Sequence, residues 1–407
     1  MAIVLRPITP DEHHRFHDVE ARGFGDPKGS EAGLLLDQRV VELDRTIAAF
    51  DGDELVATNM SFAFEMTVPG GETIVAGGVS GVTVAATHRR RGILRQMMTY
   101  QLDDLAGRGE PVAILNASES SIYGRFGYGL AELFQTWKID SSRAQFRGPV
   151  RDDLPLRILD RDTAKKELAP IYDAWRRTVA GALSQSDAWW DCVLAAHRSW
   201  RGGGDVFVVV CEPGPDHDGG YAIYTIDNDH DAQSWELEVR ELVAVDPDVE
   251  ARLWRYVLDV DLVGPVTAEA RPMDDPLRWR LVDPRQVKTV RIQDYLYVRL
   301  LDIPAAFSAR RYPVADDLVV DVVDELRPAT AGRYRFAGGP DQSSCEPTNA
   351  AADLRLDVAD LGSLLLGGVS ARDLSRVGRV EELHDGAVAR ADAFFGWPSA
   401  PFCTTRF

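Results

Sequence analysis

The stretch Ser80–Arg95, SGVTVAATHRRRGILR, constrains this chain more than any other. Val82, Thr83 and Val84 are consecutive β-branched residues behind Gly81, the pattern of a strand end. After the short loop Ala85–His88 come three arginines and Gly92, and then Ile93, Leu94, Met97 and Met98 fall on one face of a helix. A strand that enters a helix through such a turn leaves the first helical N–H groups unpaired, and the helix dipole adds positive potential. The favoured occupant is an anion, most usefully a phosphate. Gly92 lets a ligand approach the backbone closely, and the arginines supply charge. The same residues also suit a basic cap on a surface helix, so the rest of the chain must decide.

At 407 residues there is room for two or three domains. Ala2–Arg6 reads as a first strand and Thr9–Glu12 as a helix start, with Thr9 as N-cap and Glu12 closing a capping box. That helix runs to about Phe24 and a second covers Glu31–Leu43. Strands follow at Thr46–Phe50, Leu55–Val68 and Thr73–Val84, then the arginine turn, a helix over Arg91–Arg108, a strand at Val112–Leu115, a short helix near Ser118–Phe126 and a closing strand near Leu133–Ile139. The next region repeats the theme, with strands at Leu156–Leu159, Val206–Val210, Tyr221–Ile226, Leu237–Val245 and Val266–Ala270, helices at Thr163–Val179, Ser186–Trp200 and Val249–Leu258, and a loop at Arg201–Gly204. Glu241–Trp254 (ELVAVDPDVEARLW) shares the strand–loop–helix outline of Gly81–Leu94, yet carries Asp246, Asp248 and Glu250 where the first has arginines. Carboxylates at that turn repel a pyrophosphate. From about Val290 the pattern becomes α+β: a single strand over Gln293–Leu301, more strands, then helices, ending in WPSAPFCTTRF, which is too aromatic and proline-rich for a frayed tail.

A formal net charge of -19 argues against sequence-independent nucleic-acid binding, which needs a basic face. The N-terminus has no signal-peptide core and no apolar run reaches membrane-spanning length. Four widely spaced cysteines suggest a reduced, cytoplasmic protein without a zinc site. His13 and His17 share a helix face, but no third carboxylate or thiolate ligand is evident, so solvated histidines and no metal are expected.

Arg89-Arg90-Arg91-Gly92-Ile93-Leu94 resembles the Q/R-x-x-G-x-G/A pyrophosphate turn of GCN5-related N-acetyltransferases (GNATs), with Leu94 in place of the final Gly or Ala. Ile122–Tyr128, IYGRFGY, is similar to that superfamily's F-Y-x-K/R-x-G-F segment. Two GNAT-like regions, a third resembling a sterol-carrier-protein fold, and the aromatic C-terminus together resemble the Eis (enhanced intracellular survival) family of N-acetyltransferases. The expected architecture is therefore α/β and α+β: a GNAT domain over residues 1–148, a degenerate GNAT-like domain over 149–289 and a sterol-carrier-protein-like domain over 290–407.

The resemblance implies an acetyl-CoA-dependent N-acetyltransferase acting on amines by direct attack. It implies that Val82, Thr83 and Val84 hold the pantetheine and thioester through their backbone. Arg90, Arg91, Gly92, Ile93, Leu94 and Arg95 would surround the pyrophosphate, with Ser118 and Glu119 on the far side of the splayed strands. Tyr123 becomes the general acid and the α-carboxylate of Phe407 the general base. A phenol near pKa 10 is a reasonable donor to a departing thiolate, and a carboxylate near 3.5 becomes a useful base once buried; Trp397, Phe402 and Phe407 are the expected apolar surroundings. Tyr128 takes the motif's packing position. Phe24 and Asp26, after the first helix, are expected to line the acceptor pocket, while Arg406 either points inward, where it would disfavour polycationic acceptors, or pairs with an acid on the surface. Aminoglycoside-like molecules, other small amines or protein lysines are the acceptors implied, and a homohexamer the assembly. The competing class is a non-catalytic acyl-CoA or lipid carrier, which needs an apolar tunnel after residue 290.

Overall fold

The computed structural model describes residues 3–26, 31–195, 206–227 and 235–407. The expected loop Arg201–Gly204 and the end of the helix expected over Ser186–Trp200 lie outside these. From the N-terminus come β1 (Val4–Arg6), α1 (His13–Gly23), α2 (Glu31–Val40), β2 (Ala48–Asp51), β3 (Glu54–Thr67), β4 (Thr73–Val84), α3 (Ile93–Gly107), β5 (Val112–Asn116), α4 (Ser120–Tyr123) and β6 (Gly129–Leu130). The middle of the chain forms β7 (Leu133–Asp140), β8 (Arg157–Leu159), α5 (Arg161–Arg176), α6 (Asp187–Leu194), β9 (Val206–Cys211), β10 (Gly220–Asp227), β11 (Trp235–Ala244), α7 (Pro247–Leu258), β12 (Val263–Pro272), α8 (Leu277–Arg280) and β13 (Val287–Asp294). The last part holds β14 (Leu296–Leu300), α9 (Ile303–Ala309), β15 (Asp316–Val323), β16 (Gly332–Gly338), β17 (Ser343–Pro347), β18 (Leu354–Asp357), α10 (Val358–Leu364), α11 (Ala371–Arg376), β19 (Val380–Glu382) and α12 (Ala387–Phe395).

The chain divides into two compact units: residues 1–132, 295–398 and 405–407 form one, and 133–294 with 399–404 the other. In the first unit one sheet runs β1-β2-β3-β4-β5-β14-β6 and a second β17-β16-β15-β18-β19; the other unit has the sheet β13-β7-β12-β11-β10-β9-β8. Two strand assignments differ from the sequence reading. Leu133–Ile139 does not close the first sheet: β7 pairs with β12 and β13 in the second unit. The single strand expected over Gln293–Leu301 is two strands in two sheets. The burial pattern explains the division at Tyr295: Val287–Asp294 is mostly exposed, an edge strand, whereas every residue of Leu296–Leu300 is buried, a central strand covered on both faces. β14, not β7, pairs with β5.

Inserting β14 ties the late part of the chain to the early sheet. Gly129 and Gly362 permit the contact: a Cβ at Gly129 would lie 1.7 Å from the Ala359 carbonyl oxygen, and one at Gly362 2.5 Å from that of Val298. Helix α10 therefore lies against β6 and β14 backbone to backbone. Arg299 of β14 is fully buried and pairs with Asp324 at 2.7 Å. Its guanidinium also underlies Gly127, where a Cβ would come within 2.8 Å of it. The last sheet packs its face with Phe307, Tyr312, Phe336, Phe394 and Phe395, Tyr312 stacking on Phe394 at 3.8 Å. Arg310 is buried there and donates to the carbonyls of Leu364, Leu365 and Phe395; burial pulls its pKa down to about 10.

Because Asp324 is the acid that compensates a buried guanidinium, Asp324→Ala should lower the unfolding free energy by about 3–5 kcal/mol in a urea titration. Asp44→Ala, which removes an exposed partner of Arg108, should cost under about 1 kcal/mol in the same experiment.

Candidate active site

Strands β4 and β5 are parallel and pair only over Ala76–Gly78 and Val112–Ile114. Beyond that point β4 continues to Val84 along β3, and β5 to Asn116 along β14. The strands thus part, leaving an edge of β4 that includes Val82, Thr83 and Val84. A bulge sharpens the parting: Thr58 opposes Thr83 and Met60 opposes Ser80, so β4 carries one extra residue, with Gly81 at φ +61. Thr58 Oγ1 donates to the Gly81 carbonyl at 2.7 Å and lies 2.8 Å from the Thr83 hydroxyl, which fixes the bulge. Val82 and Val84 pack their side chains into clusters under α3. Their backbone and their side chains therefore face different tasks, as a strand allows.

The arginine turn follows. Arg90 adopts φ 63 and Gly92 φ 78, so the backbone reverses twice before α3 begins. No side chain caps α3, and the first of its N–H groups to reach a carbonyl behind it is that of Gln96, to Gly92 at 3.1 Å. A Cβ built on Gly92 would meet nothing nearer than Gln96 Nε2 at 4.0 Å. Open space, N–H groups of Ile93, Leu94 and Arg95 at a helix start, and the exposed side chains of Arg90 and Arg95 fit a diphosphate. Leu94, the departure from the motif, turns its side chain toward the core beneath α3. Arg91 is already engaged, donating to Asp51 at 3.2 Å; its guanidinium, with His88 behind, holds the Asp51 carboxyl below the usual range. Arg89 reaches back to the Val84 carbonyl at 3.3 Å.

In the second unit the corresponding turn is filled. Asp246 caps α7 by accepting from the N–H groups of Asp248 and Val249, at 2.7 and 3.4 Å. The parallel pairing of β11 with β12 ends at Val239 and Ala268, and past it the buried Arg271 donates to the Leu242 carbonyl at 3.0 Å. Burial and Asp275 push Glu250, behind the turn, up to about 7.

Side chains gather on both faces where β4 and β5 part. Val79 looks toward α3, in a cluster with Met98, Leu102, Tyr123 and Tyr128. Tyr123, at the end of α4, is 7% exposed, and its ring meets that of Tyr128 edge-on at 5.9 Å. Burial, aided by the charge of Glu119, pushes its pKa up to about 12. Tyr128 is fully enclosed and shifted upward by burial. On the opposite face, a Cβ at Gly78 would lie 2.5 Å from the Phe64 ring and 3.1 Å from that of Phe407. The Phe407 ring packs on Phe64 with centroids 5.2 Å apart. Tyr295 holds the last turn of chain by donating from its hydroxyl to the Thr405 carbonyl at 2.9 Å. The apolar neighbours expected for Phe407 were different: Trp397 packs on Gly367 and Phe402 on Trp175 in the second unit. Arg406 is half-buried.

Ser118 and Glu119 are exposed between β5 and α4, with Glu119 as the N-cap residue of α4. Phe24 is 56% exposed, and with Asp26 it belongs to the loop closing α1, where Asp26 N–H reaches the Ala21 carbonyl at 3.0 Å. That loop is tied to β4, since a Cβ at Gly23 would lie 2.5 Å from Thr83 Cβ. Sequence reasoning missed Asn116, whose side chain donates to the Tyr295 carbonyl at 3.3 Å while its buried Oδ1 finds no partner among the described residues. A polar residue closing the apolar strand VAIL was the available signal. It missed also the carboxylates beside the histidines: His17 Nδ1 contacts Asp37, and Glu20 joins them. Burial first, then Asp37, push Glu20 up to about 8.

Comparison with known proteins agrees with this geometry. GNAT acetyltransferase domain families match residues 4–131 and 181–300, and a sterol carrier protein domain family matches residues 303–404. Fold and site define an acetyltransferase of the GNAT class. N-acetyltransferase Eis of Mycobacterium tuberculosis is 32% identical over 404 residues, 97% of each chain. An uncharacterized N-acetyltransferase of Streptomyces coelicolor is 36% identical over the whole of both chains. The crystal structure of Eis1 from Mycobacterium abscessus superposes with a TM-score of 0.87 over both full chains at 34% identity. The chain belongs to the Eis family of N-acetyltransferases.

Gly78 leaves the space that the Phe407 ring occupies. Gly78→Ala should displace that ring and lower kcat for acetyl transfer at least tenfold, with the KM for acetyl-CoA within about threefold, in steady-state assays of the purified variant.

Proposed function

We propose that this chain transfers the acetyl group of acetyl-CoA to small amines, using Tyr123 as general acid and the α-carboxylate of Phe407 as general base. The observation that carries the reading is the placement of these two residues on opposite faces of β4 where it parts from β5. The edge Val82–Val84 offers backbone groups to the pantetheine amides, and the turn from Arg90 to Arg95 offers N–H groups and charge to the diphosphate. Ser118 and Glu119 border the site from the β5 side. Phe24 and Asp26 take the acceptor, the carboxylate of Asp26 attracting its ammonium.

In the step proposed, the Phe407 carboxylate removes a proton from the acceptor ammonium. The freed nitrogen lone pair forms a bond to the thioester carbonyl carbon. As the carbon–sulfur bond breaks, Tyr123 donates its phenolic proton to the leaving sulfur, and the acylated nitrogen gives up its second proton, which returns to the tyrosinate through solvent, so a neutral amide and a free thiol result. The upward shift of Tyr123 to about 12 keeps the phenol protonated across the working pH range. The alkaline limb of a pH–rate profile should therefore not originate from Tyr123 below about pH 11.

The second unit is proposed not to bind the donor, because Asp246 and Arg271 already occupy its turn and the mouth of its strands. The carrier alternative is weakened by the aromatic rings that fill the face of the last sheet. No described helix is long and apolar enough to cross a membrane. The hexamer implied by the family, read by light scattering, and a cytoplasmic location are part of the same proposal.

The test is CoA-thiol release from acetyl-CoA with a panel of small amines and a lysine peptide, for wild type, Tyr123→Phe and a chain lacking Phe407. Both changes should lower kcat by about 10²-fold or more. Equal rates in all three would overturn the assignment, and turnover confined to the peptide would replace the small-amine acceptor.

A further inference from the structure

We infer that His17 and Glu20 of α1, with Asp37 of α2, form a binding site for a divalent transition metal such as Zn2+ or Mn2+. His17 and Glu20 are three residues apart, so one helix face presents both, and α2 brings Asp37 across to them. One ligand atom from each lies within 4.8 Å of the others. Nitrogen and carboxylate ligands bound at about 2.0–2.2 Å from one ion stand about 3–4 Å apart, so a closure of up to about 2 Å brings the three onto one ion, with water in the remaining positions. One imidazole with two carboxylates is the donor set of zinc, manganese or ferrous iron, not of the all-oxygen cations.

Two further observations point to a ligand. His17 Nε2 is buried and has no hydrogen-bond partner among the described residues, although Nδ1 meets Asp37. One turn earlier on the same face, His13 is only 6% exposed and its Nδ1 is likewise without a described partner. A hydrogen-bonded staple between α1 and α2 would need His17 and Asp37 alone. It accounts neither for Glu20 in the trio nor for two orphaned imidazole nitrogens in a buried place, which are costly to leave unmade.

The place is specific. Glu20 lies over the bulge of β4, where a Cβ on Gly81 would come within 2.9 Å of Glu20 Oε1. Gly81 also adopts φ +61, so no larger residue is accommodated there without strain. Gly81, Thr83 and Gly78 all look away from α3, and α1 continues from Glu20 to the loop that bears Phe24 and Asp26. A bound ion would therefore clamp α1 to α2 and set the helix that ends at the acceptor loop. Ion binding itself does not depend on the acetyl-transfer reading.

The experiment uses the full, tag-free chain after dialysis against a chelator, titrated calorimetrically with Zn2+ and separately with Mn2+. The expected result is one ion per chain for at least one metal, with a raised melting temperature. His17→Ala and Asp37→Asn should weaken binding at least tenfold, and so should the near-isosteric Glu20→Gln, which preserves packing over Gly81. His14→Ala, on an exposed side chain, should leave binding unchanged. Co2+ should give a visible absorption band that His17→Ala abolishes. Absence of stoichiometric binding by either metal, or binding that survives His17→Ala and Glu20→Gln in chains that melt cooperatively, would overturn the proposal.

Discussion

Beyond Gly78 and Ile114 the strands β4 and β5 stop exchanging hydrogen bonds, and a buried sheet has to account for every backbone group that it leaves unpaired. That parting organises the first unit. The bulge at Gly81, held by Thr58, turns the edge of β4 outward. The arginine turn continues from the same strand, so the groups suited to an amide chain and those suited to a diphosphate lie in sequence along one backbone. Tyr123 approaches from the α3 face and Phe407 from the other, where Gly78 has no side chain to exclude it.

The middle of the chain shows what the fold does without that chemistry. β11, β12 and α7 repeat the parallel pair, the parting and the helix. The helix start there accepts its own Asp246 carboxylate, and the mouth accepts Arg271, so the electrostatic need that a phosphate would meet is met internally. One backbone plan thus serves as an open anion-binding turn in one copy and as a self-satisfied structure in the other, and the difference lies in a handful of side chains. Gly92 against Asp246 is the sharpest of them.

How much of this was legible in the sequence depends on range. Local chemistry was readable: the β-branched end of β4, the turn at Arg90–Gly92, and the acidic turn that caps α7 each follow from a few neighbouring residues. Long-range pairing was not. Nothing near Leu133 says that it belongs with β12, and the division at Tyr295 shows only in the change from nearly continuous exposure to continuous burial between Val287–Asp294 and Leu296–Leu300. The partner of Phe407 was missed for the same reason. Phe64 lies far from the terminus in sequence, while Trp397 and Phe402, its near neighbours, pack elsewhere. Asp37 escaped notice because only the folding of α2 toward α1 brings it to His17, whereas Glu20, three residues after His17 on the same helix, was within reach of the sequence.

The central claim is that the parted strands of the first unit, and not those of the second, receive the donor. Amide hydrogen exchange followed by mass spectrometry, with and without saturating acetyl-CoA, tests it most directly. The account predicts new protection over Val82–Val84 and Ile93–Arg95, with peptides spanning Val239–Val249 unchanged. Protection confined to Val239–Val249, or none over Ile93–Arg95, would contradict it.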